Sequence, residues 1–429
     1  MLQTNLRNLS ENVFRLENGA MHVDLVQTSQ GLIRVGSMPD ISKCLARFEL
    51  QEATVIVPDW GVSQAGDNHT GEEFVQWCAQ VYGSPPKKYI GTDKNIKVLH
   101  KNLDAIFSYY FDQKRIAIMR KNWLNRWFKK KPVGACYEKE DLKVLLQNGN
   151  IAVFFQGRKI YDQGDYPHPV DIENLIEEVM LNVPHDSHRR NQLEIRVVGY
   201  GNGFFETTSS FLVRFGGRVL WIDPCAQPAH SLAKIGVHWD DVTDILITHN
   251  HEDHILGFTA CLKRKIDRKE KLRLITARSI YEILKKQFSP LFPEMDKWIS
   301  FMEIAPGEYF DLEGINISAR WNHHFLPYGT LGIKINAGGK TWGLSGDTKF
   351  DTEINKILKR QELTEAWFKD CNLVFHEVDF DNIKGVHSYW KEVDKIRKAI
   401  QGELIVYHTR DKDTPPIPIV QEGKTYRLT

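Results

Sequence analysis

One stretch constrains this 429-residue chain more than any other. An apolar run, Asp244-Ile-Leu-Ile-Thr248, leads directly into His249-Asn-His251-Glu-Asp253-His254. The run reads as a buried strand. Three histidines and an aspartate crowded at its end are hard to explain by packing, because buried polar groups need water, metal or partners. On an extended segment alternate side chains project to one side, so His249 and His251 can grip one ion together. The chain then turns, and Asp253 and His254 can face a second ion. Imidazole and carboxylate suit zinc, and also Mn²⁺, Fe²⁺ or Co²⁺.

Composition bounds the setting. At roughly 100–200 residues per domain, the length predicts two or three domains. Apolar residues at 42% and charged residues at 26% are ordinary for a soluble globular protein. Lys+Arg at 56 against Asp+Glu at 55 argues against a positively charged coat for general nucleic-acid binding. The polar start, Met1 to Ser10, lacks a signal-peptide core, and no uncharged apolar run approaches the ~18–20 residues that span a bilayer. Six scattered cysteines without a C-x-x-C pair read as free thiols in a reducing compartment. A cytoplasmic protein without membrane contact is expected.

Helical spacing in Ile172–Leu181 is followed by a polar segment around Pro184, which reads as a linker over 182–192. It predicts domains at 1–185 and 193–429. Beyond it, strands at Glu194–Val198, Ser210–Phe215, Arg218–Ile222 and Leu272–Thr276 alternate with glycine turns, the pattern of a layered α/β domain. Lys263–Lys286 reads as basic turns, that last strand and a helix. Before the linker, strands at Ala53–Val57 and Lys88–Gly91 and helices at Gly71–Gln80 and Asn102–Phe111 predict a β/α domain. Lys114–Lys131 is strongly basic and carries Trp123, Trp127 and Phe128. It suits either a nucleic-acid groove with stacking aromatics or an amphipathic helix. The i,i+4 spacing of the tryptophans favours the helix.

The His-rich motif in its strand-to-helix setting resembles the metallo-β-lactamase fold superfamily. Four further pieces appear in that superfamily's order. They are Val219-Leu-Trp-Ile-Asp223, Trp321-Asn-His323-His324, Leu344-Ser-Gly-Asp347 and Leu404-Ile-Val-Tyr-His408. The resemblance implies an αββα sandwich for the C-terminal domain and a dinuclear site. One ion would take His249, His251 and His323, the other Asp253, His254 and His408, and Asp347 would bridge them. His324 is the alternative to His323, and spacing does not decide between the two. Two divalent ions against Asp253 and Asp347 leave a surplus of about +2, which suits an anionic substrate. Asp223 would support the metal loop, and Cys225 reads as a small buried hydrophobe.

Two more elements are similar to those of the tRNase Z branch. Phe375-His376-Glu377 resembles its H-E-A-T element and Val386-His387-Ser388 its H-S-T element. The resemblance implies that Glu377 orients His387 and that His387 protonates the leaving oxygen after attack by metal-bound hydroxide. No Gly/Pro-rich tRNA-gripping arm lies between His254 and His323. A small or cyclic nucleotide is therefore the first expected substrate and an RNA 3′ end the second. A thioester or lactone hydrolase of glyoxalase II type is one alternative, and a non-catalytic ligand sensor another. Thr207 to Ser210 could donate to a phosphate or make turns. Ala53–Val57 with Asp67 and His69, then Lys87–Gly91, echo Ile245–Phe258 and Leu272–Thr276. The N-terminal domain is thus either a degenerate copy of the same fold, without metal, supplying substrate contacts or a homodimer surface, or an unrelated β/α accessory domain.

Overall fold

Alternating apolar residues along short strands predict sheets with one buried face, and such faces recur throughout the chain. The structure is a computed structural model. It describes residues 4–19, 21–38, 41–57, 87–110, 129–132, 136–147, 150–166, 172–186, 190–202, 207–324, 329–350, 352–359, 365–380, 385–409 and 416–429. The chain forms two units, residues 1–178 with 286–293, and residues 179–285 with 294–429.

Among the described residues, the first unit has a seven-stranded sheet in sequential order. Its strands are β1 (Thr4–Ser10), β2 (Val13–Asn18), β3 (Met21–Thr28), β4 (Gly31–Val35), β5 (Glu52–Ile56), β6 (Lys88–Gly91) and β7 (Lys129–Pro132). Neighbours from β1 to β4 are antiparallel, and those from β4 to β7 are parallel. A second, antiparallel sheet holds β8 (Cys136–Lys139), β9 (Leu142–Gln147), β10 (Asn150–Phe155) and β11 (Arg158–Asp162). Val26, Ile33, Ile56 and Ile90 of one sheet share a buried cluster with Tyr137, Val144 and Val153 of the other.

The second unit places β12 (Arg190–Gly199), β13 (Ser210–Gly216), β14 (Arg218–Ile222), β15 (Asp244–Leu246), β16 (Leu272–Thr276) and β17 (Ile299–Glu303) in one sheet. The other sheet holds β18 (Tyr309–Leu312), β19 (Ile315–Trp321), β20 (Leu331–Ala337), β21 (Lys340–Leu344), β22 (Leu373–Glu377) and β23 (Glu403–Tyr407). The last strand, β24 (Thr425–Leu428), pairs with β12. Phe211 on β13 meets Trp342, Phe375 and Tyr407 of the facing sheet at ring-centroid distances of 6.0, 5.5 and 5.2 Å. Truncating a buried aromatic of this kind costs about 3–5 kcal/mol. With helices such as Phe258–Asp267 and Trp390–Ala399, this is the metallo-β-lactamase fold.

The two units repeat one another. β2 to β7 have the order and directions of β12 to β17, and the meander β8 to β11 has those of β18 to β21. Val35 pairs with Ile56 as Ile222 pairs with Leu246. The next residue donates its N–H across the same gap, Gly36 to Ile56 at 3.3 Å and Asp223 to Leu246 at 2.9 Å. Both have left-handed backbone, φ +94° and +49°. Gly36 therefore stands where the other unit has Asp223.

Several expected elements differ. The helix expected from Asn102 begins at Asp93, because the Thr92 hydroxyl accepts the Asn95 N–H at 3.3 Å and caps it. Arg190, Asn191 and Gln192 belong to β12 rather than to a linker, and Lys263 to Asp267 end a helix rather than forming turns. Lys129 to Lys131 lie in β7, paired with β6 at the sheet edge, rather than on a helix. Asp67, His69, the helix at 71–80, and Trp123, Trp127 and Phe128 lie outside the described residues. No helix among the described residues is long and apolar enough to cross a membrane.

Gly346, at the end of β21, fixes the turn into Asp347. Its φ is +59°, and a Cβ there would sit 2.1 Å from the Leu331 carbonyl oxygen. Gly346→Ala should therefore destabilise the protein by at least ~1–3 kcal/mol. Denaturant unfolding tests this, and an unchanged midpoint would refute the steric reading.

Candidate metal centre

Each candidate ligand follows the C-terminal end of a strand. His249 to His254 follow β15, which lies between parallel β14 and β16 with its three residues buried. His324 follows β19, Asp347 follows β21, and His408 follows β23. Asp223, directly after β14, ties the first loop together. Its Oδ1 accepts the Thr248 N–H at 2.8 Å, and its Oδ2 accepts the Thr248 hydroxyl at 2.6 Å and bonds His254 Nδ1 at 2.8 Å. Asn322 Nδ2 donates to the carbonyls of Ser345 at 2.6 Å and Asp347 at 3.1 Å, which joins the β19 and β21 loops. His408 has φ +62° and donates its N–H to Tyr200 O at 2.6 Å. Left-handed backbone at Asp223 and His408 is a cost borne at the site.

Three overlapping groups have ligand atoms within 4.8 Å of one another. They are His249, His251, His324 and Asp347; Asp253, His254 and His408; and Asp347, His387 and His408. Asp347 lies 3.4 Å from His254 Nε2, 3.5 Å from His408 Nε2 and 3.8 Å from His249 Nε2. Two ligands ~2.1 Å from one tetrahedral ion would stand about 3.4 Å apart. The Nε2 atoms of His249, His254 and His408 are buried without a hydrogen-bond partner. Such a set of converging, unfilled nitrogens beside a buried carboxylate fits a divalent ion. Burial, reinforced by neighbouring histidines, holds His249 and His251 well below the usual imidazole range. They are thus neutral, as ligands must be.

The third-motif histidine differs from the expectation. His324, not His323, joins the cluster, with Nε2 3.3 Å from His251 Nδ1. Strand alternation ends at Trp321, and Asn322 is anchored to the β21 turn. His324 Nδ1 then donates to Val386 O at 3.2 Å, which turns the other nitrogen toward the cluster. His323 offers its carbonyl to the Lys349 N–H.

Glu377 and His387 meet beside these groups. Glu377 is fully buried, with Oε2 3.1 Å from His387 Nδ1. Its Oε1 accepts the N–H groups of Ser388 at 2.9 Å and Thr348 at 3.2 Å. Burial pulls the His387 pKa down, but the Glu377 charge and hydrogen bond outweigh it and push the value up to about 9. Burial would raise Glu377, yet the facing His387 keeps it below the usual glutamate range. Ser209 donates to Gly201 O, and Ser210 bonds Trp221 Nε1 and Ile222 O, so both hydroxyls serve the fold. Cys225 is buried, as expected. Thr248, Asn322, Ser345 and Ser388 went unread. Each adjoins a quoted motif residue, but nothing in the sequence marks its hydrogen-bond partners.

Residues 193–425 match the family described as "Anti-Pycsar protein Apyc1". The cGMP-dependent 3',5'-cGMP phosphodiesterase A of Dictyostelium discoideum is 22% identical over 251 residues, 55% of this chain and 28% of that protein. Ribonuclease Z of Treponema denticola is 26% identical over 141 residues, 32% of this chain and 46% of the enzyme. Anti-Pycsar protein Apyc1 of Paenibacillus xerothermodurans is 22% identical over 263 residues, 55% of this chain and 98% of that protein. The chain thus spans less than half the length of the first two relatives.

Elemental analysis of the purified protein should find about two divalent ions per chain. Asp347→Asn should lose at least one, and chelation should lower the melting temperature of wild type. Full metal content in Asp347→Asn would remove that residue from the ligand set.

Proposed function

Because the chain belongs to the Anti-Pycsar protein Apyc1 family through residues 193–425, we propose that it is a dinuclear metal-dependent hydrolase that cleaves phosphodiesters. A small or cyclic nucleotide is its first substrate class and an RNA 3′ end its second. The cyclic-nucleotide reading draws support from the relative named as a cGMP phosphodiesterase, and the RNA reading from the relative named as a ribonuclease Z. His249, His251 and His324 would hold one ion and Asp253, His254 and His408 the other, with Asp347 between them. When bound, paired ions lower the pKa of water and offset charge on phosphoryl oxygens. Zinc suits this donor set, as do manganese and iron.

The observation that carries the reading is the buried Glu377–His387 pair beside those ligands. An alkoxide leaving from phosphorus is a strong base and needs a proton as the bond breaks. Glu377 occupies His387 Nδ1, so the opposite nitrogen, Nε2, presents the proton. Thioester cleavage has a good leaving group and needs no such acid, so the pair favours phosphodiesters over the glyoxalase-type alternative. Cys136, Cys225, Cys261 and Cys371 form no disulfide, which supports a reducing, cytoplasmic setting.

His387→Ala should lose roughly 10²–10⁴-fold on diphenyl phosphate and far less on bis(p-nitrophenyl) phosphate, whose leaving group needs no proton. The acid form of His387 is present at low pH and lost as pH rises through its pKa. Bound cations would draw that value down from about 9. Wild-type turnover of diphenyl phosphate should therefore fall at alkaline pH, and His387→Ala should lack that limb. Equal losses on both substrates would overturn the acid assignment. A panel of 3′,5′-cyclic nucleotides and an RNA with a 3′ extension then separates the two substrate classes.

A further inference from the structure

The segment carrying His387 is irregular, and an acid must be held to a fraction of an ångström to serve one reacting atom. What holds it is written in the residue beside it. Ser388 is fully buried, and each of its polar groups is engaged. Its hydroxyl donates to Thr348 O at 2.7 Å and accepts the Phe350 N–H at 2.9 Å. Its own N–H donates to Glu377 Oε1 at 2.9 Å, and its carbonyl accepts the Asp379 N–H at 2.8 Å. Thr348 and Phe350 lie just beyond Asp347. One serine therefore joins three things: the loop that follows Asp347, the buried carboxylate Glu377, and the backbone that carries His387.

Two weaker ties flank it. His324 Nδ1 donates to Val386 O at 3.2 Å, and Lys349 Nζ donates to His387 O at 3.0 Å. Ser388 is central because Glu377 Oε1 takes both the Ser388 and Thr348 N–H groups, which leaves Oε2 aimed at His387. Without the hydroxyl, Thr348 O and the Phe350 N–H would each lose a buried partner. The loop would then relax away from the segment.

Building on the phosphodiesterase reading, we infer that Ser388 is a positioning residue for proton delivery, the latch that registers His387 against the Asp347 loop. It touches no substrate. Its effect belongs to reactions that need the acid, and a merely structural serine would slow every substrate alike.

The test is a leaving-group series of diaryl phosphates, from bis(p-nitrophenyl) to diphenyl, run on wild type, Ser388→Ala, Ser388→Thr and His387→Ala. Ser388→Ala should lose about tenfold to a hundredfold on diphenyl phosphate but little on the p-nitrophenyl ester, a steeper dependence shared with His387→Ala. Ser388→Thr keeps the hydroxyl and should restore the slope. Proton NMR of the enzyme as purified gives an independent reading. The low-field Nδ1 proton of His387 should weaken or vanish in Ser388→Ala and persist in Ser388→Thr. If Ser388→Ala does not fold, Ser388→Cys, a poorer donor, carries the same comparison. A steep slope in His387→Ala with a uniform loss in Ser388→Ala overturns this inference and leaves the proposed reaction standing. A wild-type slope in both variants overturns the acid assignment and this inference with it.

Discussion

The carboxylate of Asp223 organises the rest of the site. It touches none of the clustered nitrogens directed at the centre, yet it grips both ends of the loop that supplies four of the candidate ligands, Thr248 at one end and His254 at the other. A carboxylate so deeply buried is costly unless its lone pairs are filled, and here three donors fill them. The hydrogen bond to His254 Nδ1 also fixes which nitrogen faces inward. Asn322 does the same work between the β19 and β21 loops, and Ser388 between the β21 loop and the acid. The centre is a set of strand ends tied pairwise by buried side-chain hydrogen bonds.

The acid and the ligands share that scaffold. Glu377 and Asp347 follow or end neighbouring parallel strands, β22 and β21, and their loops meet through Thr348 and Ser388. The chemistry of proton delivery and the placement of the bridging carboxylate are then not independent variables. A substitution in one loop should be felt in the other, with non-additive effects where the same hydrogen bond is removed twice.

Much of this was legible in the residues. The clustered histidines behind an apolar strand declared both an element and a chemistry, and Asp347, Glu377 and His408 each stand at or just behind the end of a run that reads as a strand. His324 was not separable from His323, because alternation holds within a strand and stops at its end, where Asn322 sets the geometry. Ser388 was invisible as a latch because its hydroxyl partners lie some 40 residues away in sequence. Lys129 to Lys131 looked like a solvated helical face. They lie instead in β7, paired with β6, because backbone pairing and not apolar spacing sets that element. The helix at Asp93 began before its apolar periodicity did, since a cap at Thr92 and not a hydrophobic stripe sets its start.

The left-handed residue after β4 bears on descent. Gly36 sits where Asp223 sits, and both have positive φ. The first unit thus has a glycine, with no side chain, where the second has the carboxylate that ties its metal loop. A duplicated fold can keep strand order, direction and hydrogen-bond register while the residue at a matching position differs between its halves.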